Sequence, residues 1–213
     1  FEVLEQHKNS VTFVQRSDEN TKRDFPFDYE LKIKYTINGD TVTNEYIVTN
    51  TGEDKLPFVI GGHPAFNCPL AKNEKFEDYK VIFDKKITKP CLRPDHHTGL
   101  VNVFEKFDEM HGGDTLSLVH ELFEEKDALI FENCEAKSAT LIGKSGKGVK
   151  IEFQDMNNLL IWSAVGSAPF VALEPWTGLA SCNDEDGLFE HKRGMTVLEK
   201  DETASFKFKI TMI

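Results

Sequence analysis

The sequence predicts a mainly β fold, a large antiparallel β-sandwich, on three observations. Apolar and polar residues alternate strictly from Tyr29 to Ile37 and again from Phe206 to Met212, the period-two signature of strands with one buried and one wet face. Short apolar runs bounded by turn residues recur along the chain, and no long stretch carries a sustained 3.6-residue apolar period. Seventeen phenylalanines among 213 residues, in a chain that is 39% hydrophobic, supply the wide apolar interior that two packed sheets need.

The elements follow in chain order. Phe1-Glu2-Val3-Leu4 reads as the inside of a strand, and Val11–Arg16 as a short one. Tyr29, Leu31, Ile33, Tyr35 and Ile37 form one apolar face. Asn38-Gly39 then supplies the positive φ angles of a tight hairpin turn, and Thr41–Thr49 returns through Val42, Tyr46 and Val48. Leu56–Ile60 is a short apolar strand leading into Gly61-Gly62-His63. Residues 70–79 are charged and read as a surface loop before a strand at Lys80–Asp84. Residues 85–128 hold Pro90, Pro94 and Gly112-Gly113, and read as long loops with one short helical turn. Strands return at Leu129–Glu132, Ala139–Ile142, Val149–Phe153, Leu159–Ser163 and Val171–Glu174, before the alternating C-terminus. With no repeat, linker or low-complexity tract, residues 1–213 are expected to form one domain.

The formal net charge of −11 repels phosphate backbones and anionic lipid. Nucleic acid and membrane are therefore excluded as partners, whereas a neutral small molecule is not. Cys68, Cys91, Cys134 and Cys182 lie at long, irregular gaps without a C-x-x-C pair, which argues for free thiols over a zinc site or a disulfide framework. No apolar run is long enough to span a bilayer and no signal peptide opens the chain, so a cytoplasmic protein is expected.

Two segments carry chemistry. In Gly61-Gly62-His63-Pro64-Ala65-Phe66-Asn67 the glycines permit a sharp turn or a close approach, and Pro64 holds His63 extended. The outcome is an imidazole on a fixed stem beside an aromatic ring and an amide. The plainer alternative is a histidine that merely ends a strand. In Phe170-Val-Ala-Leu-Glu174-Pro175-Trp176 four apolar residues run directly into a carboxylate. Such a group needs a partner or a role, and an apolar setting raises its pKa toward that of a base working near neutrality. The alternative is a glutamate paired with a core cation. Asp127 stands immediately before an apolar strand, where its carboxylate can point off the strand end toward a site. Gly143-Lys144-Ser145 is no phosphate loop, because Ser138 stands where the first glycine is required and the segment joins two strands. Adjacent His96 and His97 on an extended backbone point apart, and His111-Gly112-Gly113 reads as a turn.

Phe58-Val-Ile-Gly-Gly-His-Pro-Ala-Phe-Asn67 resembles the His-Pro-Tyr-Phe-Asn segment of galactose mutarotases. Ala-Leu-Glu-Pro-Trp-Thr-Gly178 is similar to the glutamate-bearing segment of the same aldose 1-epimerase superfamily, in particular the branch associated with lactose and galactose gene clusters. The resemblance runs through the whole chain and implies a β-supersandwich. It implies an isomerase that interconverts the α and β anomers of a free aldohexose without cofactor or metal. By that resemblance Glu174 is the base and His63 the acid, Asp127 binds substrate, and Phe66, Asn67 and Trp176 wall the pocket. The family also carries an arginine and a second histidine upstream of the position matched by Phe1. The resemblance therefore implies that N-terminal strands of the fold fall outside this chain and that the chain by itself has weak activity or none. A monomer or homodimer is expected. Two other functions stay open: a hexose-6-phosphate epimerase, against which four scattered arginines argue, and a non-catalytic sugar-binding module.

Overall fold

The structure is a computed structural model that describes residues 1–95 and 97–213; the reading that His96 and His97 point apart thus falls in part, at His96, outside the described residues. Along the first part of the chain run β1 (Glu2–His7), β2 (Ser10–Arg16), helix α1 (Thr21–Asp24), β3 (Tyr29–Asn38), β4 (Thr41–Asn50), β5 (Leu56–Phe58), β6 (Ala65–Asn67), β7 (Tyr79–Phe83), β8 (Cys91–Pro94), β9 (Val101–Phe107) and β10 (Thr115–Ser117). Helix α2 (His120–Lys126) leads to β11 (Ala128–Phe131), β12 (Ser138–Gly143), β13 (Gly148–Glu152), β14 (Asn158–Trp162), β15 (Phe170–Trp176), β16 (Thr196–Leu198) and β17 (Thr203–Met212).

A nine-stranded sheet has the order β1-β2-β3-β4-β17-β13-β12-β7-β10. It packs against a six-stranded sheet of order β6-β15-β14-β11-β8-β9, and β5 and β16 form a small pair. Every pairing between these strands is antiparallel.

The alternating segments pair as their pattern demands, with β3 against β4 and β4 against β17. Their turn differs in one detail from the sequence reading. Asn38 is the last paired strand residue, facing Thr41, and only Gly39 takes a positive φ, +57°. The two-residue loop is therefore Gly39-Asp40, with glycine at its first central position. A larger departure concerns residues 85–128. They form β8 and β9 of the six-stranded sheet, β10 of the nine-stranded sheet and the whole of α2. These strands are short, and Asn102 and Asp95 fold their own turns through side-chain bonds to nearby backbone N–H groups. Periodicity has too few residues to register there.

The six-stranded sheet has two apolar faces, and this determines where the site sits. Leu129, Phe131, Leu159, Ile161, Val171 and Leu173 point inward to the sandwich core and meet residues of the other sheet such as Val81, Leu141, Ile151 and Phe208. Their alternates, Ala128, Ile130 and Leu160, point outward into a second cluster with Leu92, Val101, Leu179 and Cys182, flanked by Trp162 and Trp176. Strands apolar on both faces read as continuous hydrophobic runs, as Asn158–Trp162 does. All four cysteines are free and buried.

Candidate active site

The site lies on the outer face of the six-stranded sheet, where β15 meets the chain leading into β6. Ala65, Phe66 and Asn67 pair with Ala172, Val171 and Phe170. The same register continues upstream: Leu173 N–H donates to Pro64 O at 3.1 Å, Gly62 N–H to Pro175 O at 3.0 Å and Thr177 N–H to Ile60 O at 2.8 Å, and Gly61 bridges to Trp176. Continuing that ladder puts His63 directly across from Glu174. Cross-strand neighbours share a face, and the side chains meet, with His63 Nε2 at 3.2 Å from Glu174 Oε1. Two motifs more than a hundred residues apart thus become one pair through strand register.

The two groups have opposite environments. The His63 side chain is 60% exposed, whereas that of Glu174 is 2% exposed. On its other flank Glu174 faces Leu160 across the sheet, so the carboxylate is desolvated by apolar neighbours. Burial pushes its pKa up from the ordinary 4.5 to about 8. Its second oxygen, Oε2, is buried and accepts no hydrogen bond from the described residues. No lysine or arginine neutralises it among the ion pairs of the described residues. An imidazolium at that distance would oppose the burial cost.

Gly61 has no room for a side chain, because a Cβ there would come within 2.3 Å of Trp176 Cδ1. Trp176 in turn donates its indole N–H to Gly62 O at 3.2 Å. The indole thus lies across the glycine pair and fixes the stem of His63. A cleft of about 250 Å³ opens beside it, walled by Val59–His63, Trp176 and Gly178–Ala180. That volume is at the small end of ligand cavities and suits a small polar molecule. Asn158, buried behind the turn, donates its amide to Gly178 O at 2.9 Å and accepts from Asn133 N–H at 2.9 Å, holding the far wall in place.

The other residues singled out from the sequence divide. Asn67 is exposed and shares the outer face with Ala172 and Glu174. Asp127 is not among the residues that wall the cleft and is connected to His63 through Trp162, whose Nε1–H donates to Asp127 Oδ1 at 3.0 Å. Phe66 pairs with Val171, an inward-facing residue, and packs against the sandwich core. Alternation along β6 turns its ring away from the outer face that carries Glu174, so it does not wall this cleft. Sequence reasoning overlooked Trp162, Asn158, Leu179 and Ala180. Trp162 and Asn158 lie in a run that reads as ordinary buried strand; the signal that could have flagged them is a polar-capable side chain at each end of an otherwise aliphatic strand. Among the described residues no group of three or more His, Cys, Asp and Glu side chains is placed to hold a metal, and no helix is long and apolar enough to cross a membrane.

The chain is thus of the class of antiparallel sandwiches that pair an imidazole with a buried carboxylate, unneutralised by lysine or arginine, on one outer sheet face through strand register. Comparison with known proteins gives that class a family. The aldose 1-epimerase family model matches residues 1–211, and the chain belongs to that family. It is similar to the plasmid-encoded protein LacX of Lactococcus lactis subsp. lactis, at 34% identity over 215 residues that cover all of this chain and 72% of the relative. Its structure resembles that of a galactose mutarotase related enzyme from Lactobacillus acidophilus, with a TM-score of 0.91, 27% identity and coverage of 100% of this chain and 71% of the other. A galactose mutarotase-like protein from Lactobacillus casei gives a TM-score of 0.88 at 29% identity, with coverage of 100% and 73%.

Proposed function

We propose that this chain carries the acid–base pair of a mutarotase acting on a free aldohexose. The observation that supports the reading is the buried Glu174 carboxylate, without a cation, 3.2 Å from an exposed imidazole at the mouth of a cleft. Glu174 takes the proton of the C1 hydroxyl while protonated His63 gives one to the ring oxygen. The C1–O5 bond breaks and C1 becomes a carbonyl. Rotation about C1–C2 presents the other face of that carbonyl to the C5 hydroxyl. On closure His63 recovers its proton and Glu174 returns its own to the C1 oxygen, so the pair ends as it began. The working form holds one proton across the two groups. Asp127 and Asn67 supply hydroxyl contacts, and Trp176 offers an apolar face to the sugar C–H surface.

A neutral sugar fits better than a phosphorylated one. Three of the four arginines are already engaged by carboxylates: Arg16 by Glu30, Arg93 by Glu105, and Arg193 by Glu132 and Asp184. A dianion needs such groups free. The Lactobacillus proteins it resembles, a galactose mutarotase related enzyme and a galactose mutarotase-like protein, support the same reading. The experiment is polarimetry of freshly dissolved α-glucose and α-galactose. Glu174→Gln is expected to lower the rate by roughly 10²–10⁴ while sugar affinity changes little. A Glu174→Gln rate equal to the unsubstituted protein's would defeat the proposal.

A further inference from the structure

Trp162 stands between the two functional groups that do not touch each other. Its indole Nε1–H donates to Asp127 Oδ1 at 3.0 Å. Its ring meets the His63 imidazole edge to face, with centroids 5.7 Å apart and planes at 81°. Phe170 backs it at 5.3 Å. The register shows how one side chain can do both. Trp162, Ala172 and Ala65 form a row across β14, β15 and β6, and Leu160, Glu174 and His63 form the next. Two alanines in the first row leave open space over β15, and the indole leans across it to reach His63. At its other end Asp127 caps α2 with φ +61° and ψ −66°, a conformation rare for a residue with a side chain. Its N–H donates to Phe123 O at 2.9 Å and its carboxylate is tied to the indole.

We infer that Trp162 is a positioning residue. It clamps the Asp127 carboxylate with its N–H and buttresses the His63 imidazole with its ring, so that a sugar-contacting carboxylate and the acid are held at one fixed separation. What that positioning serves rests on the mutarotase reading; the clamp itself does not. With one oxygen bound to the indole, Asp127 keeps its other oxygen for a ligand hydroxyl. Ala172 and Ala65 are part of the device, since a larger side chain in that row would push the indole off His63.

The chain contains two tryptophans, Trp162 and Trp176, so an NMR spectrum of the free protein shows two indole N–H signals and needs no turnover. Asp127→Ala should shift one of them and speed its hydrogen exchange about tenfold, as loss of a bond to a charged acceptor does. Trp162→Leu should move the His63 ring protons, identified by their absence in His63→Asn, and Trp162→Phe should move them less. In polarimetry Trp162→Phe, which keeps the ring and loses the N–H, should raise KM about tenfold with kcat within about threefold. Asp127→Ala should do the same, and the double variant should be no worse than either single one. Ala172→Leu, which leaves Trp162 intact, should lower kcat by displacing the imidazole. Indole and imidazole signals unmoved by these changes, or single effects that simply add, would overturn the inference. If the NMR signatures appear but nothing accelerates mutarotation, the clamp stands and the mutarotase reading falls.

Discussion

Removing the charge of Glu174 should flatten the dependence of stability on pH. The folded carboxylate titrates at about 8 against an ordinary 4.5. A group whose folded pKa is raised contributes its stability in the protonated form. That contribution is complete below pH 4.5 and is lost progressively as pH climbs to about 8. At about 1.4 kcal/mol per pH unit the whole interval is worth about 5 kcal/mol, of which about 4 kcal/mol falls between pH 5 and pH 9. Glu174→Gln keeps the shape without the charge. Urea unfolding of both proteins at pH 5 and pH 9 makes the comparison. Near pH 5 they should agree within about 1 kcal/mol, and at pH 9 the variant should be the more stable. Parallel curves across that range would mean that Glu174 is solvated or compensated, and the argument for a base raised by burial would be refuted.

Other outcomes follow from particular contacts. His63→Asn should lower the mutarotation rate by roughly 10²–10⁴ with the fold intact, checked by polarimetry and circular dichroism. Gly61→Ala should displace the Trp176 indole, whose Cδ1 would lie 2.3 Å from the new Cβ; the expected cost is about 1–3 kcal/mol in unfolding, together with weakened sugar binding and altered tryptophan fluorescence. Thiol reagents should label almost no cysteine in the native protein and all four after denaturation. Burial pushes Cys68 and Cys91 up to about 12 and Cys134 and Cys182 up to about 11, leaving little thiolate.

What the sequence made legible follows from how far each signal reaches along the chain. The β3–β4 hairpin and β17 were readable because half of each strand is wetted, and wetting writes alternation into the residues. The strands at 91–94 and 101–107 were not, because the first has only four residues and the register between the two shifts between Cys91 and Arg93, so neither shows a regular period. The same division runs through the site. His63 and Glu174 were visible because each combines a titratable group with a proline-fixed extended backbone. Their meeting was not visible, since register across β6 and β15 is a tertiary fact. Phe66 sits one residue from Ala65 and two from Pro64, yet a single step along a strand reverses its face, and proximity in sequence misled there. Trp162 escaped notice because an aromatic in an apolar strand has the appearance of core; only the positions of Asp127 and His63 on either side of its ring give it meaning.

The most direct measurement is a crystal structure of the protein soaked with galactose or glucose. The account predicts one sugar ring in the cleft beside Trp176, with a Glu174 oxygen in hydrogen-bond range of the anomeric hydroxyl and His63 Nε2 in range of the ring oxygen. A sugar bound elsewhere, with His63 and Glu174 still facing only each other, would contradict it.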